Sequence, residues 1–267
     1  MKNLIFIFLI LFISNLNGSA LDNIYLNADD AVIKNYGAFQ NSSSFYINPA
    51  LLNYIEKSKI ILGDSFSKGA DDISFNSFNL AICTKLSKAI NIGGFFQKFI
   101  DQSQDNFNYS ESKFGFALGI KLFSLKLGAL GEYNKIGIDY NNSSMKDFKI
   151  NFGLNYELLN YNLVLGYVYK NYQHQQAGLA YKFNDLNSIG VNFEKYYNNF
   201  NISLSGFASI IGDKLMLNFG ISPIEYSAGI KYKIPLKIKK FDFILNYGMV
   251  YNLYLLDRHY VNLEINL

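Results

Sequence analysis

The sequence is poor in the residues that carry most catalytic and metal chemistry. It contains one cysteine, Cys83, two histidines, His174 and His259, and no tryptophan. A single cysteine cannot form an intrachain disulfide, and Cys83 has no second cysteine for a metal or redox motif. The two histidines show no metal-ligand spacing with each other or with acidic residues. The sequence therefore predicts no enzyme activity, no cofactor and no metal site, and Cys83 is interpreted as a small apolar residue on a strand.

Proline and charge are also scarce. Three prolines occur among 267 residues, beside 21 tyrosines and 24 phenylalanines, and this composition favours strands joined by tight turns. The net charge is only +3 and no basic face is visible, so nucleic acid is not expected as a partner. Hydrophobic residues make up 50% of the chain, which excludes a disordered protein.

The longest apolar run lies at the N-terminus. Leu4 to Ile13 is an unbroken run of ten apolar residues after Lys2, whereas a spanning helix needs about 20. Gly18, Ser19 and Ala20 supply the small residues that a signal peptidase requires. We therefore predict a signal peptide at residues 1–20, cleaved after Ala20, and an exported protein.

Apolar and polar residues alternate from about residue 59 to the end of the chain. This period of two is typical of strands with two different faces. Around residue 150 it predicts that Leu154 faces lipid and Asn155 faces the interior of a barrel. Fourteen strands are predicted, at 59–67, 73–84, 89–100, 111–122, 124–137, 146–158, 161–171, 174–183, 187–197, 200–209, 213–221, 225–234, 239–252 and 257–267.

The length of these strands favours a membrane protein. Each has about ten residues, as a tilted strand needs to cross a bilayer, whereas strands of soluble proteins usually have about five or six. Very short turns, such as Phe123-Ser124, alternate with longer polar connections near 101–110 and 139–144. The predicted fold is all-β, a transmembrane antiparallel barrel of about 14 strands (12–14) over residues 57–267. A soluble β-sandwich, which would also alternate, is the competing interpretation.

Residues 21–56 lack the alternation and form either a periplasmic lead or a plug folded into the lumen. They contain Gly37-Ala38-Phe39 and, further on, Asn48-Pro49-Ala50-Leu51. Pro49 keeps Asn48 out of the helical region, and Asn48 can cap one or two helical turns that follow. These strings, between a signal peptide and long strands, resemble the N-terminal segment of the FadL-like outer-membrane barrel superfamily, and within it the PorV/PorQ branch.

Charged residues of both signs are predicted on the lumen face. They are either the lining of a polar channel or a network of ion pairs that fills a closed barrel. The set comprises Lys121, Lys126, Lys149, Lys170, Lys214, Lys231, Lys233, Glu132, Glu157, Glu194, Glu225 and Glu264.

Two functions are expected from the resemblance together with the strand pattern. The first is passage of small hydrophobic molecules across the outer membrane, gated by residues 21–56. The second is an accessory or docking role in protein secretion, as the PorV/PorQ resemblance implies, with a closed lumen and secretion-system proteins as partners. Both place the chain in the outer membrane, in contact with its lipid.

Overall fold

The chain forms a closed barrel of fourteen antiparallel strands. The computed structural model describes residues 25–34, 38–68, 74–101, 109–138, 143–171, 174–197, 199–238, 241–252 and 257–267. Each strand pairs with its neighbours in the sequence, and β1 pairs with β14 to close the ring. The bounds are β1 Lys59–Lys68, β2 Ser74–Lys85, β3 Ile90–Asp101, β4 Tyr109–Leu122, β5 Leu125–Ile138, β6 Ser143–Leu158, β7 Leu163–Asn171, β8 His174–Asn184, β9 Asn187–Tyr196, β10 Asn199–Ile211, β11 Leu215–Ile221, β12 Glu225–Ile238, β13 Phe241–Asn252 and β14 Arg258–Asn266.

The predicted fold class and the count of fourteen strands are confirmed, and the sandwich interpretation is wrong. Most predicted strand bounds lie within two residues of the observed ones. The largest difference is the end of β12, which was predicted at residue 234 and lies at Ile238. The structure accommodates Pro235 in a register shift, where pairing with β13 breaks after Ile234 and resumes at Ile238.

The outer face of the barrel is apolar and its inner face is largely polar. On β6, Asn155 is completely buried in the lumen, and Leu154 lies on the opposite, outer face. Large apolar side chains stay exposed on the outer face, among them Phe78, Ile82, Phe114, Phe116, Phe148 and Leu165. An apolar band around a closed barrel is the surface expected of strands in lipid. No helix within the described ranges is long and apolar enough to cross a membrane.

Short turns join the strands at the end of the barrel where β1 begins and β14 ends. Phe123 and Ser124 alone connect β4 to β5, and Phe123 adopts a left-handed conformation with φ of 56°. Two-residue hairpin turns require this conformation, which a residue with a side chain adopts at a cost of about 1–2 kcal/mol. The short turn is therefore imposed by the two strands that it joins. The longer connections at 102–108 and 139–142 lie outside the described residues.

An arginine in the middle of the outer face should impair assembly. Phe116 is 60% exposed on β4, and its neighbours on the same face are apolar. We expect Phe116→Arg to cost about 2–4 kcal/mol, because the charge would lie within hydrocarbon. The control is Ser112→Arg on the same face, in a polar row nearer the strand end, with an expected cost of about 0–1 kcal/mol. The gel shift between boiled and unboiled samples measures assembly. Equal assembly of the two variants would contradict a lipid-facing surface.

Candidate functional site in the barrel lumen

The described part of the N-terminal segment, residues 25–34 and 38–56, packs against lumen-facing side chains. It forms a helix, α1 (Ala28–Ile33), and two 3₁₀ helices, Ser42–Ser44 and Pro49–Tyr54. Each helix begins after an asparagine whose side-chain oxygen accepts a hydrogen bond from the backbone N–H two residues later. These caps stabilise short helices that have few hydrogen bonds of their own. The caps are Asn27, Asn41 and Asn48.

The Pro49–Tyr54 helix and its cap Asn48 lie directly on three glycines of neighbouring strands. Gly119, Gly128 and Gly153 are register partners on β4, β5 and β6. A Cβ added to Gly128 would lie 2.2 Å from the carbonyl carbon of Pro49, and one added to Gly153 would lie 2.0 Å from Asn48 Oδ1. The backbone of the segment therefore touches the backbone of the wall, which only glycine permits. We call this set the 119/128/153 glycine surface.

A second glycine surface holds α1 against a different part of the wall. Its members are Gly220, Gly229 and Gly248 on β11, β12 and β13. A Cβ on Gly220 would lie 2.1 Å from the carbonyl oxygen of Val32, and one on Gly248 would lie 2.8 Å from the carbonyl oxygen of Ala28. The helix is therefore seated as closely as the 3₁₀ helix. We call this set the 220/229/248 glycine surface.

Ala38 and Phe39 contact a third stretch of the wall, on β8 and β9. A Cβ on Gly178 would lie 2.8 Å from the Ala38 side chain, and one on Gly190 would lie 2.9 Å from the Phe39 ring. Phe39 also packs against Phe207, with ring centroids 5.5 Å apart. Gly37, the remaining residue of the predicted motif, lies outside the described residues. The two predicted strings thus lie in one lumen but contact different strands.

Buried ion pairs fix α1 in the lumen. Lys231 Nζ lies 3.0 Å from Asp29 Oδ2, and Asn218 Nδ2 donates to Asp29 Oδ1 over 2.5 Å. Glu264, on β14, is completely buried between Lys231 at 3.7 Å and Lys59 at 3.2 Å. Pairing of this kind is what charges need in order to be buried.

Asp30, also on α1, has no cation of its own. Its Oδ1 accepts a hydrogen bond from Ser44 Oγ, which ties α1 to the first 3₁₀ helix. Its Oδ2 has no hydrogen-bond partner among the described residues. Burial, together with the nearby charges of Asp29 and Glu264, raises the pKa of Asp30 to about 8. Asp30 is therefore protonated at neutral pH when α1 is seated.

A second polar cluster holds the Pro49–Tyr54 helix. The Tyr54 hydroxyl donates to Asn155 Oδ1 over 2.5 Å, and Lys126 Nζ lies 2.6 Å from Glu157 Oε1. Lys126 Nζ also lies 4.2 Å from the centre of the Tyr54 ring, within range of a cation–π contact. Gln40 completes the cluster, because its side-chain amide bonds to Tyr54, Glu157 and Lys182.

Many of the charges predicted on the lumen face take part in ion pairs. Glu225 is paired with Lys34 and with Arg258 at 2.7 Å. Glu194 lies 2.9 Å from His174 Nε2. Lys126, Lys231, Glu157 and Glu264 are paired as described above. These ion pairs join the wall to the segment and wall strands to one another.

Aromatic side chains line the lumen beside α1. Tyr25 contacts Tyr260 of β14 at a centroid distance of 6.4 Å. Phe99 of β3 packs between Phe75 and Tyr109, at 5.3 and 5.8 Å. Ala28 and Ala31 of α1 complete the apolar cluster. A small open recess lies beside the C-terminal end of α1, lined by Lys34, Asn192, Glu194, Asn201, Ser203, Ser222 and Ile224.

Sequence reasoning missed the residues that hold the segment in place. The sequence pattern assigned no role in seating the segment to Asp29, Asp30 or Lys59. One signal was present, since Gly119 and Gly128 lie at equal distances from the short β4–β5 turn and are therefore register partners. Among the described residues, no group of three or more His, Cys, Asp or Glu side chains could hold a metal ion.

The geometry defines a class, a fourteen-stranded barrel with its own N-terminal segment in the lumen. Several solved structures have a similar fold. A Pseudomonas aeruginosa FadL homologue matches with a TM-score of 0.64 at 11% identity, over 90% of this chain and 97% of that one. The Pseudomonas putida toluene transporter TodX matches with 0.64 at 10%, over 90% and 96%. The Ralstonia pickettii toluene transporter TbuX matches with 0.62 at 12%, over 90% and 96%.

These likenesses show a FadL-like fold. No protein-family model and no curated protein sequence matches the chain.

A side chain on the 119/128/153 glycine surface should release the segment without opening the barrel. We expect Gly128→Ala to displace the Pro49–Tyr54 helix, because the new methyl group would overlap the Pro49 backbone. The matched control is Gly94→Ala, whose Cβ would meet only the Gly115 carbonyl oxygen at 3.5 Å. Limited proteolysis of residues 38–56 measures displacement, and the gel shift measures closure. Equal protease resistance in both variants would show that the close fit does not hold the segment.

Seating of α1 should weaken as the pH rises. The pKa of Asp30 is about 8 in the packed state and near 3.8 when the residue is free. Between these values the packed state binds one more proton at Asp30, so the contribution of Asp30 to seating is full below about pH 4, falls up to about pH 8, and then levels off. Hydrogen exchange of α1 between pH 5 and 9 measures this. Asp30→Asn should remove most of the pH dependence of exchange in α1. If exchange in that variant changes with pH as steeply as in wild type, another group causes the dependence.

Proposed function

We propose that the chain is a non-enzymatic outer-membrane barrel that passes small hydrophobic molecules, with residues 21–56 as its plug. The observation that carries the proposal is the seating of α1 and the Pro49–Tyr54 helix on two glycine surfaces inside a closed barrel. A lumen built to fit a separate segment of chain can be emptied without breaking the hydrogen-bond ladder of the wall. Export by a signal peptide at residues 1–20, cleaved after Ala20, belongs to the same proposal.

The way the segment is held supports a movable plug. α1 has only six residues, far fewer than the roughly 12–15 at which isolated helices become even marginal. Its order therefore depends on its contacts with the wall. Its polar contacts come from a few side chains, and Lys231 and Asn218 both act on one carboxylate, Asp29. Loss of this group of contacts would weaken the hold of the wall on the whole helix.

The aromatic cluster supports a hydrophobic solute. Phe75, Phe99, Tyr109 and Tyr260 face the lumen, where wall residues of an aqueous channel would be polar. Withdrawal of α1 would expose their rings, which offer an apolar and polarisable surface. The fold likeness to two toluene transporters supports the same class of solute.

The accessory role in secretion has less support. The narrower resemblance to the PorV/PorQ branch, and the docking function that it implies, stay predictions. The structures with a similar fold are a FadL homologue and two toluene transporters. We therefore place passage of a small hydrophobic molecule first.

Uptake of radiolabelled toluene by cells that produce the protein tests the proposal. Lys231→Met leaves Asp29 and Glu264 without their shared cation, and breaking such buried pairs typically costs about 3–5 kcal/mol. We expect this variant to raise uptake several-fold over wild type by releasing α1. Lys195→Gln, which alters a lysine on the outer face, is the matched control and should match wild type.

A second variant is needed in case Lys231→Met does not fold. Deletion of residues 25–56 removes the plug but leaves every strand, and its barrel can be checked by the gel shift. Both altered proteins should admit toluene more than glycerol. If properly closed barrels of both variants take up no more toluene than cells without the protein, the transport proposal is wrong.

A further inference from the structure

One row of the outer face is basic, although the rows beside it are apolar or uncharged. Lys98, Ser112, Lys135 and Lys146 are successive register partners on β3, β4, β5 and β6. All four residues alternate with lumen-facing neighbours, so their side chains point outward, and the three lysines are exposed. We call this set the lysine row.

Two members of the lysine row oppose each other directly. Lys135 and Lys146 are cross-strand partners, so their Cβ atoms are about 4.5–5.5 Å apart. Like charges in this arrangement destabilise a sheet. Neither lysine forms an ion pair among the described residues, and the nearest outward acidic residue in register is Asp64, two strands beyond Lys98. The pair is therefore a place where an anion would relieve repulsion.

The row next to the lysine row marks a boundary of the apolar band. Two residues along each strand, Phe96, Phe114, Tyr133 and Phe148 are also register partners and point outward. Phe96 and Phe114 pack with ring centroids 4.8 Å apart. Aromatic girdles of this kind lie at the level where hydrocarbon meets headgroups. On the other side of the lysine row lie Ile100, Ser110, Gly137 and Ser144.

The lysine row thus lies at headgroup level, at the end of the barrel opposite the start of β1 and the end of β14. Adjacent strands are about 4.8 Å apart, so Lys98 lies about 10 Å from Lys135 along the row. Two phosphate groups on one lipid could therefore contact the row together. The Ser112 hydroxyl, between the lysines, adds a hydrogen-bond donor.

We infer that the lysine row is a binding site for the phosphate groups of a phosphorylated lipid in the external leaflet. The aromatic row beneath it contacts the acyl chains of the same lipid. The inference rests on the proposed placement of the barrel in the outer membrane, but not on transport. A bound lipid would neutralise the Lys135–Lys146 pair and hold β3 to β6 at one depth in the membrane.

Titration of the detergent-solubilised full-length protein with diphosphoryl lipid A, followed by native mass spectrometry, tests this inference. Each lysine near an anionic surface contributes about fivefold to binding, so Lys135→Gln/Lys146→Gln should weaken binding about twentyfold. Lys195→Gln is the control, because Lys195 also points outward but its register partners are Gln175 and Phe200, not lysines. It should bind as wild type does. Phosphatidylcholine should bind equally to all three proteins.

Three outcomes would overturn the inference. One is equal binding of diphosphoryl lipid A by the double variant and wild type. Another is an equal loss in Lys195→Gln, which would mean a general charge effect. The third is displacement of the lipid by inorganic pyrophosphate at a similar concentration, which would assign the site to a free anion. If the double variant does not close into a barrel, Lys146→Gln alone replaces it. Failure of the membrane placement would appear separately, in the Phe116→Arg comparison.

Discussion

The pairing of β1 with β14, from Lys59 with Asn266 to Ser67 with Arg258, removes both edges of the sheet. Every strand then has a hydrogen-bonded neighbour on each side, so no row of backbone N–H and C=O groups is left for water. Only this closure allows the outer face to carry phenylalanine and leucine in hydrocarbon. Closure also means that every second side chain of each strand points into the barrel. These inward side chains need packing and hydrogen-bonding partners inside the ring.

Small wall residues and the N-terminal segment provide these partners. Where the segment touches the wall, glycine replaces the side chain, and Gly128 and Gly220 bring two backbones together. Elsewhere asparagine and serine bond to the segment, as when Ser227 Oγ donates to the carbonyl oxygen of Val32 over 2.7 Å. The wall and the segment therefore have complementary shapes and hydrogen bonds. Apolar contacts add to these, because Phe45, Leu52 and Ile55 of the segment belong to one buried cluster with wall residues such as Phe95 and Leu130.

The wall could be predicted from the sequence, but the seating of the segment could not. Alternation with period two fixes which face each residue occupies. The sequence therefore correctly predicts Asn155 in the lumen and Leu154 on the outer face. The pairing of Asp29 with Lys231 spans 202 residues, and no local pattern reports a contact between such distant positions. Asn48 as a cap is a local feature and could be read from the residues around Pro49. What Asn48 packs against depends on Gly153, whose position follows only from the register of β5 and β6.

The kinds of contact that hold α1 decide how firmly it is bound. Its side chains are small, with Ala28, Ala31 and Val32 buried against glycine, so the hydrophobic contribution is low compared with that of a leucine-rich helix. Its ion pairs are buried, and a buried pair gains little over water because desolvation offsets most of the attraction. Asp29 and Glu264 lie near Lys59 and Lys231, and Lys34 at the end of α1 pairs with Glu225. These acids are paired, and Asp30 is protonated at neutral pH, so the helix is satisfied in the lumen without a strong net attraction. The plug role proposed for the segment needs that combination, because a plug must close the lumen and still leave it.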